Sequence, residues 1–155
     1  MINKIYFDTC AFYGLLIKSD SLHQLCTDIF KELIEKYKVS FLTSTWVKYE
    51  ALSKLKKHGI SYCEKLEKII YNQKIIVEFV SNDIEERALN LFWSYKDKKW
   101  SIIDCISIVI MQEKSIYYAF SSDHHFSEAS LFPLIEYNKQ TRIPQKSFSI
   151  IHFPI

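Results

Sequence analysis

Four acids stand at ordered places along the chain: Asp8, Glu50, Asp104 and Asp123. Asp8 closes the apolar run Ile5-Tyr6-Phe7, and Glu50 follows Trp46 by one helical turn. Asp104 interrupts SIIDCISIVIM, and Asp123 lies in SSDHH, just past Ile116–Phe120. Their oxygens are hard donors, suited to Mg²⁺ or Mn²⁺ rather than zinc. Brought together without a cation, the four would repel one another and raise one another's pKa values. One or two bound ions would relieve that repulsion and act as Lewis acid and activator of water. Each acid also has an ordinary reading. Asp8 could cap the helix after it, and Glu50 could be a solvated helix residue. Asp104 could be the third-position acid of a capping box with Ser101, and Asp123 a turn residue. Asp104 carries the most information, because no Lys or Arg lies within its apolar run to pair it, and a buried carboxylate needs a partner.

The elements that must position these acids alternate between strand and helix. Short apolar runs predict strands at 5–7, 39–42, 75–80 and 116–120. Helical periodicity predicts helices at about 9–17, 22–37, 46–58, 61–71 and 101–111, and one opening at 81 or 82 and running to at least 92. Ser19 or Asp20 is expected to cap the second helix, one of Thr43, Ser44 and Thr45 the third, Ser81 or Asn82 a later one, and Ser101 the next. Gly59 is expected to stop the third helix. In the helix opened by Ser81 or Asn82, Ile84, Ala88, Leu91 and Phe92 form the expected inner face. The run Leu131–Ile135 reads equally as a fifth strand or a short helix. Strands separated by helices imply an α/β fold with a mostly parallel sheet of four or five strands, covered on both faces. Ligands in such sheets bind outside the carboxyl ends of the strands. Asp8 and Asp123 fall at strand ends, and Glu50 and Asp104 fall early in helices, so all four can converge there.

Composition narrows the function classes. The 155 residues are 48% hydrophobic and 25% charged, with 15% aromatic, which is a globular composition. A net charge of +2 and a pI near 8.2 are mildly basic, short of a dedicated nucleic-acid-binding domain. Only two glycines are present, which excludes a P-loop and a dinucleotide glycine motif. Cys10, Cys26, Cys63 and Cys105 have no C-x-x-C spacing and read as reduced core cysteines of a cytoplasmic protein. MINKIYFD shows no signal-peptide pattern, and no apolar run is long enough to span a membrane.

Taken in order, IYFDT, TSTWVKYE, SIIDCISIVIM and SSDHHF resemble the four motifs of the PIN-domain ribonucleases, most of all the VapC-type toxins of bacterial toxin–antitoxin pairs. The resemblance covers about residues 3–138. A glycine that this family often carries soon after the final Phe is missing from EASLF. The resemblance implies a PIN-like three-layer α/β/α fold and a metal-dependent endoribonuclease leaving 5′-phosphate and 3′-hydroxyl ends. It also implies Mg²⁺ or Mn²⁺ as cofactor, an RNA substrate, an antitoxin partner and a homodimer. Asp8, Glu50, Asp104 and Asp123 would be the catalytic, metal-binding set, with Thr9 and Ser121 orienting the carboxylates.

Other features carry less. His124 and His125 could touch a metal or phosphate, or simply be exposed. Lys54, Lys56 and Lys57, and Lys96, Lys98 and Lys99, could meet RNA phosphates or form solvated faces. Trp93, Tyr95 and Trp100 could stack on bases or pack internally. Two other functions remain open: a non-catalytic RNA- or protein-binding module on the same fold, and a metal-dependent phosphatase of another α/β class. Against the latter, no second Asp follows Asp8 at D-x-D spacing. Residues 1–138 are expected to form the nuclease domain. Residues 139–155 form an extension with Lys139, Arg142, Lys146 and His152, no acid, and an apolar end.

Overall fold

A computed structural model describes residues 3–141 of the chain. Its strands are β1 (Lys4–Phe7), β2 (Ser40–Ser44), β3 (Ile76–Glu78), β4 (Tyr118–Phe120) and β5 (Phe132–Pro133). They form one sheet in the order β3-β2-β1-β4-β5, parallel throughout. Between them run α1 (Thr9–Leu16), α2 (His23–Glu35), α3 (Thr45–Lys56), α4 (Ile60–Asn72), α5 (Asn82–Ser94) and α6 (Ile102–Glu113). The single turn α7 (His125–Glu128) and α8 (Leu134–Thr141) complete the described chain. The ambiguous run Leu131–Ile135 is split: its middle pairs with β4 as β5, and its end starts α8. Of the expected extension, the end of α8 is described, and 142–155, with its apolar end, lies outside the described residues.

β1 explains the layering. Ile5, Tyr6 and Phe7 are all fully buried, as a strand covered on both faces requires. Consecutive side chains point to opposite faces. Phe7 stacks on Phe12 of α1 at 4.0 Å and meets Phe30 of α2 edge-on at 5.8 Å. Tyr6 instead shares a 2.9 Å hydrogen bond with Ser107 of α6. Helices α1 and α2 therefore cover one face and α6 the other. Phe41 of β2 and Phe120 of β4 close around Phe7 at 5.4 and 5.0 Å, so the aromatic core sits directly behind Asp8.

Serine caps hold several helices. Ser44, Ser81 and Ser101 accept from the backbone N–H of Val47, Ile84 and Asp104. The second helix differs from expectation. Its N-cap is Leu22, and Asp20 serves a turn earlier, its Oδ1 accepting from Leu22 N at 2.8 Å. α1 approaches α2 so closely that a Cβ on Gly14 would lie 2.6 Å from Cys26 Sγ. Gly59 separates α3 from α4 at φ 126, a conformation that favours glycine. Phe92, expected on the inner face of α5, is 36% exposed, because the face that packs on α6 is carried by Ile84 and Ala88. Among the described residues, no helix is long and apolar enough to cross a membrane.

Candidate active site

The chain runs outward from β1 through β2 to β3, then returns to place β4 on the other side of β1. That reversal leaves a crevice at the carboxyl ends of β1 and β4, where open α/β sheets bind ligands. The pairing of Phe7 with Phe120 sets the register there. The next residues, Asp8 and Ser121, consequently meet, and Ser121 Oγ donates to Asp8 Oδ2 at 2.8 Å. Cys10 Sγ donates to the same oxygen at 3.2 Å and accepts from Ser122 N at 3.2 Å. Ser121 Oγ also accepts from Asp123 N at 3.0 Å, which ties the fourth acid to the first.

Asp8 occupies the N-cap position of α1, but its side chain makes no capping hydrogen bond. It faces the crevice at only 9% exposure. Burial pushes its carboxyl up to about 6, against the opposing effect of the Ser121 and Cys10 bonds, and the nearby Asp104 adds a smaller rise. Burial also pushes the Cys10 thiol upward, which keeps it a protonated donor. Cys10 is thus part of the site, not a plain core cysteine. The clue in the sequence was its place in the first turn of the helix that Asp8 begins.

Asp104 forms the capping box. Ser101 N donates to its Oδ2 at 2.7 Å, and Ser101 Oγ accepts from Asp104 N at 3.1 Å. The expectation of a carboxylate without a protein partner is corrected: the unpaired N–H groups of a helix N-terminus supply one. Capping does not remove Asp104 from the crevice. Burial raises its pKa, the Ser101 hydrogen bonds oppose the rise, and Asp123 adds to it.

Glu50 approaches from α3. Its Oε2 accepts from Thr9 Oγ1 at 2.6 Å, and its Oε1 pairs with Lys54 Nζ at 3.3 Å. Thr9 therefore orients Glu50, and Ser121 orients Asp8. Asp123 Oδ1 accepts from His125 N at 2.9 Å. The two histidines part company here: the His124 side chain is 71% exposed and that of His125 17%.

A cavity of about 320 Å³ collects all four acids together with Thr9, Cys10, Lys54, Ser122 and His124. The donor set is chiefly carboxylate oxygen, and Lys54 is the one basic side chain of Lys or Arg type lining it. Burial, and to a smaller extent the neighbouring carboxylate, pushes two of the carboxyls toward protonation. These residues fit a hard divalent cation. The arrangement is open rather than a tight cage. Among the described residues, the group whose ligand atoms all lie within 4.8 Å of one another is Asp123, His124 and His125. A neighbouring cavity of about 400 Å³ shares Cys10, Lys54 and Ser122 and adds Tyr13, Lys57 and His58. Of the remaining aromatics, Trp100 is buried with Nε1 donating to Glu128 at 2.8 Å, while Trp93 and Tyr95 are exposed.

No family model and no curated protein matches the chain by sequence. Among solved structures, the chain is similar to VapC20 of Mycobacterium tuberculosis, a toxin that cleaves the sarcin–ricin loop. The TM-score is 0.75 at 24% identity, covering 84% of this chain and 98% of that one. The chain therefore has the PIN-like α/β/α fold.

Proposed function

We propose that this chain is a PIN-type endoribonuclease, dependent on Mg²⁺ or Mn²⁺, and the toxin of a type II toxin–antitoxin pair. The observation that carries the reading is the meeting of four acids from separate elements in one cavity at the switch point of a PIN-like sheet. Asp8, Asp104 and Asp123 would hold the ion, directly or through water, and Glu50 would hold it or orient the attacking water. A bound ion supplies charge for the scissile phosphate and a hydroxide at neutral pH.

The chain's own residues do the rest. Ser121 holds Asp8 in place through a neutral hydrogen bond, which leaves its charge available. Thr9 fixes Glu50 from the first turn of α1. Lys54, common to the two cavities, and Lys57, in the neighbouring one, provide cations for flanking RNA phosphates. An antitoxin partner, a homodimer and a cytoplasmic setting belong to the same reading. They are supported by the likeness to a toxin fold and, for the setting, by four free cysteines.

The test is cleavage of structured RNA, a sarcin–ricin-type stem-loop among the substrates, by protein freed of any partner. Cleavage should need Mg²⁺ or Mn²⁺ and stop with chelator. Asp8→Asn and Asp104→Asn should each lower the rate by at least about 100-fold, the upper end of losses seen when a ligand's supporting shell is altered. Equal activity in wild type and both variants would exclude this site.

A further inference from the structure

We propose that Tyr13 of α1, with Lys57 and His58 at the end of α3, forms a subsite for one unpaired RNA nucleotide beside the scissile phosphate. This rests on the nuclease reading above and adds to it where a flanking base is held. Two side-chain hydrogen bonds join α1 to α3. At the acid cavity, Thr9 Oγ1 donates to Glu50 Oε2 at 2.6 Å. One turn further along α1, Tyr13 Oη shares a 2.9 Å bond with His58 Nε2. Along α3 and the turn that closes it, Glu50, Lys54, Lys57 and His58 follow at the spacing of one helix face. A stripe therefore leads from the acids to the ring pair. The cavity of about 400 Å³ beside it is lined from both helices and shares Cys10, Lys54 and Ser122 with the acid cavity. Its size falls within the roughly 300–1,000 Å³ of small-ligand pockets.

The lining suits a nucleotide. Lys54 is paired with Glu50 at 3.3 Å, whereas the exposed Lys57 forms no ion pair among the described residues. Lys57 is thus the cation left for a phosphate. The rings of Tyr13 and His58 stand 5.5 Å apart at 66°, and Tyr62 meets His58 edge-on at 6.2 Å. His58 is exposed, yet these two tyrosines hold its ring. A base that stacks on it therefore immobilises little further side chain. Asp20, also in the lining, has Oδ1 engaged by Leu22 N at 2.8 Å, and its carboxylate suits a base amino group rather than a phosphate. Stacking on a protein ring requires a base free of its own duplex, so the nucleotide is an unpaired one.

The probe is the structured RNA that the wild type cleaves, a sarcin–ricin-type stem-loop first among those tried. Its binding to the full chain is measured in chelator, apart from catalysis. His58→Ala should weaken binding about 5-fold or more. Lys57→Met should also weaken it, by an amount that shrinks as salt rises. An abasic residue is then set at each unpaired position in turn. At one position, adjoining the bond cut with Mg²⁺, the abasic RNA should bind wild type as weakly as intact RNA binds His58→Ala. Both changes together should cost no more than either alone. Losses that multiply at every position, or binding that His58→Ala leaves unchanged, overturn the subsite and leave the nuclease reading intact. So does a variant His58→Ala that keeps RNA binding but releases a co-purifying protein, since the surface then belongs to that protein. Wild type that cleaves no RNA overturns both. His58 is exposed, so its removal spares the fold.

Discussion

Asp8 and Glu50 line one cavity but are held by opposite means. Asp8 ends a central strand, is almost fully buried, and is bonded by the neutral donors Ser121 and Cys10. Glu50 rides on α3 at the cavity mouth, where Lys54 already offsets its charge. The rigid wall keeps a carboxylate under strain, and the outer wall keeps one at ease. A cation entering the crevice therefore gains most from the Asp8 side, and Glu50 is freer to serve water or substrate.

The largest test of this contrast is in the packing behind each wall. Phe7→Ala should lower stability to urea by about 3–5 kcal/mol, since it empties the centre of the aromatic cluster. Tyr49→Ala, next to Glu50 and 59% exposed, should change it by about 0.5 kcal/mol or less. Similar losses would mean that the two walls are not differently supported.

Next comes pH, in metal-free protein. Burial pushes the Asp8 carboxyl of the folded chain up to about 6, against an ordinary value of 3.8. The folded state thus keeps a proton that the unfolded chain gives up first. Asp8's contribution to stability is fully present below about pH 4 and is lost as pH rises through about 6, a decline of about 3 kcal/mol. Urea midpoints from pH 4 to 7 with chelator should show this decline in wild type relative to Asp8→Asn. Saturating Mg²⁺ should recover much of it. A parallel pair of curves would remove the strain assigned to Asp8.

Smaller effects separate the orienting groups. Ser121→Ala should cost about 1 kcal/mol in stability, lower cleavage about 10-fold and raise the Asp8 pKa further. Lys54→Met should alter stability by less than about 1 kcal/mol, as exposed ion pairs do. Its effect should fall on KM for RNA and weaken as salt rises.

Much of the fold was legible because burial imposes patterns on short stretches. A strand covered on both faces reads as Ile5-Tyr6-Phe7, and serine caps announce α3, α5 and α6. Where a signal depends on residue type alone, legibility failed. Lys38, Lys74 and Ser115 take left-handed conformations near helix ends where glycine would be the usual sign. Ser130, at φ 60, takes the same conformation in EASLF, a stretch without glycine. Phe92 followed the helical period yet lies half outside, since periodicity marks a face but not its width.

The sequence by itself determined the order and chemistry of the four acids and the alternation that carries them to one end of a parallel sheet. These follow from local pattern, because a strand end and a helix start are set by neighbouring residues. Only the tertiary structure decided the partners. It turned Asp8 from a cap toward Ser121, gave Asp104 both a cap and a place in the crevice, brought Cys10 into the site, and separated His125 from His124. Those choices depend on strand register and on contacts between residues up to 113 positions apart, which no short stretch of chain encodes.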